Sequence, residues 1–214
     1  METDPYDSSL TALYVGGTLG NDTIAITPAT TTGGVRVGMN FVNYGNFFPT
    51  GHVVVYSQSG NDIIKTAAQT INGVFTYVNV PVLFFAGSGN DVLNVTGSRA
   101  NNVLVGGGGS DRLLGGLGRD ILIGGAGKAT LQAGSGDDIL IGGTTAYDNN
   151  AAALAAILAE WASADDYATR IGRLTGSMSG GLNGAYFLNA STVHGNGLAD
   201  YLYGGPGMDW YFAD

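Results

Sequence analysis

Apolar residues recur along this chain at two different periods. Through most of it they alternate with polar ones in short runs, the two-residue period of a strand. TIAI (23–26), VRVGMNFV (35–42), HVVVY (52–56), IIKT (63–66), GVFTYVNV (73–80), VLFF (82–85) and VLNV (92–95) are rich in β-branched and aromatic residues and punctuated by Gly and Pro. They predict strands. From 148 to 174 the period changes. DNNAAALAAILAEWASADDYATRIGRL has an alanine-rich body with Leu154, Ile157, Leu158 and Trp161 at helical spacing. Asp148 or Asn149 is its expected N-cap, and Ser163-Ala164-Asp165 is expected to cap a second helix carrying Tyr167, Ile171 and Leu174. A Gly- and Ser-rich loop follows, then GAYFLNASTV (184–193) as a strand.

The strand-like runs share a phase. Gly-Asn-Asp occurs at Gly20-Asn21-Asp22, Gly60-Asn61-Asp62 and Gly89-Asn90-Asp91, each directly ahead of such a run. The residue two after Asp is aliphatic every time (Ile24, Ile64, Leu93), and the same phase later holds Leu104, Leu113, Leu122, Leu131 and Leu140. Alternation along a strand makes this an inward position. A single Gly-Asn-Asp reads as an ordinary hairpin turn, whereas the common phase makes each one a corner between strands. From Asp22 to Asp62, Asp91 and Asp111 the steps are 40, 29 and 20 residues, and the next, to Ala129, is 18. Coils are therefore expected to narrow toward the C-terminus, the extra strands widening the early ones.

Between 97 and 141 the phase becomes strictly nine residues long: GSRANNVLV, GGGGSDRLL, GGLGRDILI, GGAGKATLQ, AGSGDDILI. It returns as GNGLADYLY (195–203) and GGPGMDWYF (204–212). The ideal behind these lines, G-G-x-G-x-D-x-U-x with U a large apolar residue, resembles the RTX, or haemolysin-type, calcium-binding nonapeptide. The resemblance covers 86–143 and 195–212 closely, and 15–30 and 55–65 more loosely. The whole is similar to repeat domains of large bacterial, planctomycete-like, secreted or surface proteins. It implies an all-β fold, a right-handed parallel β-helix or β-roll solenoid with wider N-terminal coils and an α-helical insertion at about 148–174. In that organisation 1–85 are wide irregular coils and 86–147 the RTX-type β-roll. Residues 148–194 are the insertion with its loop and strand, and 195–214 the final coil and C-terminal cap, all in one continuous domain.

Composition sharpens the expected chemistry. All acidic residues except Glu2 and Glu160 are Asp, whose short side chain suits tight turns and hard cations. In a two-nonapeptide coil, every second repeat stacks. One edge is then expected to hold Asp22, Asp62, Asp91, Asp111, Ala129, Tyr147 and Asp209, and the other Asn102, Asp120, Asp138 and Asp200. The steps from Asp138 to Asp200 and from Tyr147 to Asp209 are both 62 residues, which is one 18-residue coil plus 44 inserted residues. Carboxylates about 4.8 Å apart repel by roughly 3 kcal/mol at an effective dielectric near 20. A divalent cation between them turns repulsion into coordination.

The resemblance makes Asp111, Asp120 and Asp138 the leading ligands, with backbone carbonyls at Gly106, Gly107, Gly108, Gly109, Gly115, Gly116, Gly118, Gly134 and Gly136. The pair Asp120/Asp138 matches best, followed by Asp91, Asp200 and Asp209. Asn102 keeps an oxygen without the charge. Asp22 and Asp62 sit in wide, gapped coils and are lower candidates, the alternative being Asx-turn residues that satisfy backbone N–H groups. Ala129 has no ligand, so the site between Asp111 and Ala129 is expected to be weak or empty, its charge replaced by Lys128. An all-oxygen set favours Ca2+ over Zn2+ or Mg2+.

The remaining expectations concern surfaces and partners. Val103/Val105, Ile121/Ile123, Ile139/Ile141 and Tyr201/Tyr203 form an outward apolar ladder, expected to lie under Leu154, Ile157, Leu158 and Trp161; the alternative is a protein–protein interface. A net charge of −9 argues against nucleic acid and suits a cation binder. Without Cys there are no disulfides to staple an exported domain. No apolar run reaches membrane-spanning length, so no membrane insertion is expected. METDPYDSSL does not read as a signal peptide, which points to a trimmed export signal or a domain of a longer chain. HExxH and GxSxG are missing, and His52 and His194 read as structural, so no enzyme is expected.

The expected function is a calcium-binding extracellular or cell-surface scaffold that folds after export. One alternative is a polysaccharide-binding or -cleaving β-helix using Tyr44, Phe47, Phe48 and Tyr77, although Arg36 and Lys65 alone are thin for a lyase. Another is a filament subunit stacking end to end, with Trp210, Tyr211 and Phe212 as cap or docking surface. Calcium, further copies of the chain and other domains of a larger surface protein are the expected partners.

Overall fold

The computed structural model describes residues 1–213, which are mostly β with two short helices. In the first sheet start β1 (Glu2–Thr3) and β2 (Thr11–Gly16). The second sheet starts with β3 (Thr23–Pro28), extended antiparallel by the hairpin β4 (Val35–Met39) and β5 (Val42–Phe47). Thereafter the chain alternates between sheets. β6 (Val53–Tyr56) joins the first and β7 (Ile63–Thr66) the second. A separate hairpin, β8 (Gln69–Ile71) and β9 (Val74–Thr76), intervenes before β10 (Val82–Ser88) returns to the first sheet. β11 (Val92–Asn94), β13 (Asp111–Leu114) and β15 (Ala129–Gln132) add to the second sheet. β12 (Val103–Gly108), β14 (Ile121–Gly125) and β16 (Ile139–Ile141) add to the first.

Then comes the insertion, pinched at its base by β17 (Thr144–Thr145) and β18 (Val193–His194). It holds α1 (Ala151–Trp161) and α2 (Tyr167–Thr175). β19 (Tyr201–Tyr203) closes the second sheet and β20 (Trp210–Phe212) the first. Each eight-stranded sheet is parallel from β2 or β3 onward and antiparallel at its N-terminal end, so both are mixed.

The core lies between the sheets. Ile24, Ile64, Leu93, Leu104, Leu113, Leu122, Leu131 and Leu140, the aliphatic residues two after each Asp slot, are all fully buried in it. A second apolar cluster covers the outer face of the first sheet, where Val103, Val105, Ile121, Ile123, Ile139 and Ile141 pack under Leu154, Ile157, Leu158 and a fully buried Trp161. The expected helix-on-ladder packing is thus present.

Several expectations are corrected. The N-terminal layers are not wider, because VVVY and VLFF are themselves first-sheet strands and the surplus residues form the two hairpins. Two-residue turns reverse the chain there, Asn40-Phe41 with φ of 50° and 67° and Asn72-Gly73 with 49° and 79°. The helix caps are Asn150 and Asp166, each side chain accepting the N–H three residues on; Asp148 instead accepts from Thr145. Of the expected 184–193 strand only Val193 is paired, in the two-residue β18.

The last coil also sits on the other edges from those expected. Leu131 pairs with Leu202 and Leu140 with Tyr211, so Asp200 follows Ala129 and Asp209 follows Asp138. The step is 71 residues rather than 62, a difference of one nonapeptide that leaves the nine-residue phase intact. The insertion fills a single turn between the sheets: a Cβ on Gly142 would come within 2.8 Å of Asp200 Oδ2, closing that turn across the helices. Tyr201 and Tyr203 are consequently exposed on the second sheet, and the place beside the helices expected for these tyrosines is taken by Trp210 and Phe212, expected instead as a cap or docking surface.

Candidate metal centre

The Asp residues stand at the corners where the chain crosses between sheets, and their carboxylates run as two ladders. On one edge the Asp22 N–H donates to Asp62 Oδ1 at 2.7 Å, the Asp62 N–H to Asp91 Oδ1 at 2.6 Å, and the Asp91 N–H to Asp111 Oδ1 at 2.9 Å. These links span 40, 29 and 20 residues, the steps legible in the sequence. The ladder then breaks: with no carboxylate at Ala129, the Asp111 N–H donates to the Lys128 carbonyl at 3.0 Å. It resumes where the Ala129 N–H meets Asp200 Oδ1 at 2.7 Å. On the opposite edge Asn102, Asp120 and Asp138 donate in turn to Asp120, Asp138 and Asp209 at 2.8, 2.7 and 3.0 Å.

An amide closes the N-terminal end of each ladder. Asn102 Nδ2 donates to Asp120 Oδ1 at 2.8 Å and Asn40 Nδ2 to Asp22 Oδ1 at 2.5 Å. Sequence reasoning took Asn102 for a weaker ligand and missed Asn40, whose only signal is its place in a tight turn.

The second carboxylate oxygen decides the chemistry. In Asp62, Asp91, Asp111 and Asp138, Oδ2 is buried and has no hydrogen-bond partner. In Asp120 it accepts from the Gly116 N–H at 2.6 Å, and in Asp22 from the Thr18 N–H and hydroxyl at 2.5 and 3.0 Å. Around the Asp111 oxygen the turn leaves little room for side chains. A Cβ on Gly106 would lie 2.6 Å from Asp111 Oδ2. Gly107 and Gly109 have φ of 98° and 116°, and a Cβ there would strike the carbonyls of Gly87 and Gly89 at 2.2 and 1.8 Å. Between them Gly108 faces open space, so the middle of the turn tolerates a side chain.

Burial makes Asp91, Asp111, Asp120 and Asp138 reluctant anions. It pushes Asp138 up to about 8, helped by the charges of Asp120, Asp209 and Asp137 and opposed by the Asp120 N–H. Burial likewise raises Asp91 and Asp111 to about 6 against the hydrogen bonds they accept, with the next carboxylate adding to it. Asp120 also reaches about 6 through burial, although the Gly116 N–H and Asn102 oppose it. Asp22 goes the other way. Burial opposes ionisation there too, but the Thr18 N–H, the Asn40 amide and the Thr18 hydroxyl together hold it below the usual carboxylate value.

The fit to a cation follows from the donors. Among the described residues no three His, Cys, Asp or Glu side chains converge, so backbone oxygens must complete any coordination shell. Carboxylate and carbonyl oxygens alone suit a hard cation with flexible coordination, whereas zinc or copper would call for imidazole or thiolate. Four buried oxygens without partners, each costing about 1–3 kcal/mol or more if charged, are what such an ion would satisfy.

A family model described as the RTX calcium-binding nonapeptide repeat (4 copies) matches over 85–122, 96–131 and 123–144. Residues 85–144 are RTX calcium-binding nonapeptide repeats. RTX nonapeptide repeats bind Ca2+, and proteins that carry them are typically secreted. No curated protein and no solved structure matches the chain. The RTX span contains Asp91, Asn102, Asp111, Asp120, Ala129 and Asp138; Asp22, Asp62, Asp200 and Asp209 lie outside it yet belong to the same ladders.

Two further expectations fail. Lys128 does not replace the charge missing at Ala129, since its Nζ sits over the Tyr201 ring, 5.2 Å from the centroid, and leaves Asp111 Oδ2 unpartnered. Tyr147 is in no ladder and packs edge-on against Tyr186 at 5.5 Å. Unforeseen altogether was the wiring of the RTX turn to the helices. Asp137 pairs with Arg170 at 2.6 Å and Arg119 at 3.7 Å, its carbonyl accepts from Trp161 Nε1 at 2.6 Å, and Arg170 lies over the Trp161 ring at 4.5 Å.

Proposed function

We propose that the chain is a calcium-stabilised extracellular scaffold, a right-handed β-roll solenoid continuous through 1–85, 86–147 and 195–214 and interrupted by the insertion at 148–194. The register supports one solenoid, because strands outside the RTX span pair in the same phase as those within it. The observation that carries the calcium reading is the set of partnerless buried oxygens on Asp62, Asp91, Asp111 and Asp138. These four would hold the ions, with glycine-turn carbonyls completing each shell. Asp22, Asp120 and Asn102, already satisfied by protein donors, would shape the ladders, and Asp200 and Asp209 would extend them. Bound calcium supplies the positive charge that lets neighbouring carboxylates ionise together inside the turns.

In this reading the domain has no catalytic task. The repeat family is generally non-catalytic, and His52 is held by Asp4 at 2.6 Å, pinning the N-terminal segment. Folding would follow export, where calcium is abundant enough for modest affinity, and the domain would serve within a larger surface protein. Circular dichroism and melting, with millimolar calcium and with chelator at pH 8, test this. A higher melting temperature and stronger β signal with calcium are expected; identical curves would refute it.

A further inference from the structure

The basic residues divide sharply between the two faces of the molecule. Arg119, Arg170 and Arg173 are ion-paired to acids around the helices. Among the described residues Arg36, Lys65, Arg99, Arg112 and Lys128 form no such pair. Of these, Arg36, Lys65 and Arg112 occupy outward positions on the second sheet, opposite the helices. Their register is regular. Arg36 on β4 pairs with Thr27, Lys65 on β7 with Ala25, and Arg112 on β13, through Val92, with Ile63. From β4 to β7 to β13 the cation moves two strands across and two residues along each time. At about 4.8 Å per strand and 3.3 Å per residue, the three lie on one straight diagonal with steps of about 12 Å.

Among the described residues nothing on this face neutralises them. Apart from the buried Asp111 of the ladder, none of the residues in β3, β4, β7, β11, β13, β15 and β19 is acidic, although the chain carries −9 overall. Arg36 is steadied by the Asn46 amide oxygen at 3.1 Å and Arg112 by that of Gln132 at 3.5 Å, contacts that orient the guanidinium without cancelling its charge. Between Arg36 and Lys65 lies an open depression of about 400 Å³, lined also by Thr23, Thr27 and Phe41. Thr130, Gln132 and the exposed rings of Tyr201 and Tyr203 continue the face toward its C-terminal end, where Lys128 adds a fourth cation.

We propose that this face binds a linear acidic polysaccharide, one carrying a single carboxylate or sulfate per two sugar units. Charge complementarity selects an anionic partner, and the wide spacing selects the class. Duplex nucleic acid presents a charge about every 1.7 Å and calls for densely packed cations on a protein of positive net charge. Cations about 12 Å apart, separated by hydroxyl and amide groups with tyrosines at one end, match sparse charges on a hydroxyl-rich chain. Each contact is weak, and affinity accumulates along the polymer.

The test uses calcium-loaded protein of verified β content and melting temperature, with hyaluronan fragments as probe and neutral dextran and duplex DNA as comparators. Hyaluronan is expected to bind and to weaken as salt rises, and dextran to show no binding. The triple variant R36Q/K65Q/R112Q, which alters only side chains at the surface of the sheet, is expected to melt as the parent does and to bind at least about tenfold more weakly. Three outcomes would overturn the proposal: no hyaluronan binding by folded protein, equal binding by the triple variant, or DNA binding as tight as hyaluronan. Because folding is checked separately, failure here leaves the calcium reading standing.

Discussion

Burial makes four of the ladder carboxyls poor anions, and Asp138 is the extreme case. Its folded pKa of about 8 lies above the ordinary 3.8, and Asp91, Asp111 and Asp120 rise to about 6. A raised folded value means that the protonated form favours folding. That contribution is complete below about pH 4 and fades as pH climbs through 6 and then 8. Calcium-free protein is therefore expected to lose stability between pH 4 and pH 8, and calcium to raise the melting temperature most at the alkaline end, displacing protons as it binds. Melting curves across that range check the sign. Asp138→Asn should stabilise the calcium-free protein at pH 8 by about 1–3 kcal/mol while diminishing the calcium-induced rise. A destabilised calcium-free variant would count against a buried unpaired charge at this position.

Among the elements, the insertion matters beyond its own two helices. It covers an apolar ladder that would otherwise face water, and it is bolted to the RTX turn through Asp137, Arg170 and Trp161. Asp137 adjoins Asp138, so ordering of that turn and docking of the helices are coupled. Trp161→Ala is expected to cost about 3–5 kcal/mol, and urea unfolding measures it. In the parent protein, tryptophan emission is expected to shift during a calcium titration, since removal of calcium loosens the turn against which Trp161 packs. Emission indifferent to calcium would mean that helices and turn are independent.

For the whole molecule, the notable feature is the break at Ala129. It separates the run Asp22 to Asp111 from Asp200, and the ladder's backbone link is replaced by the Lys128 carbonyl. Ala129→Asp would join the segments. The variant is expected to melt lower than the parent in chelator, where it adds another buried charge, and higher in calcium, where it adds a ligand; calorimetry in both conditions distinguishes this from a merely tolerated substitution. The molecule is also polarised across its thickness, with ion-paired arginines on the helical side and unpaired cations on the bare sheet.

Much of this was legible in the residues themselves. The Asp slots, the aliphatic residue two positions on, the 40-, 29- and 20-residue steps and the helical cover all follow from short-range periodicity, because a strand's inward face is set by its own alternation. The Asn72-Gly73 reversal is equally local, its turn chemistry masked by the apolar run that follows it. Three things needed the tertiary structure. Which edge the last coil joins is invisible to counting, since steps of 62 and 71 residues differ by one whole repeat and preserve the same phase. Which carboxylates keep an oxygen without a partner depends on where the N–H four residues earlier points once the turns are stacked: that of Gly116 satisfies Asp120, whereas that of Gly134 donates to the Gly204 carbonyl and leaves Asp138 without a partner. The cationic diagonal exists only because parallel pairing brings Arg36, Lys65 and Arg112, far apart in the chain, onto one face at a fixed stagger.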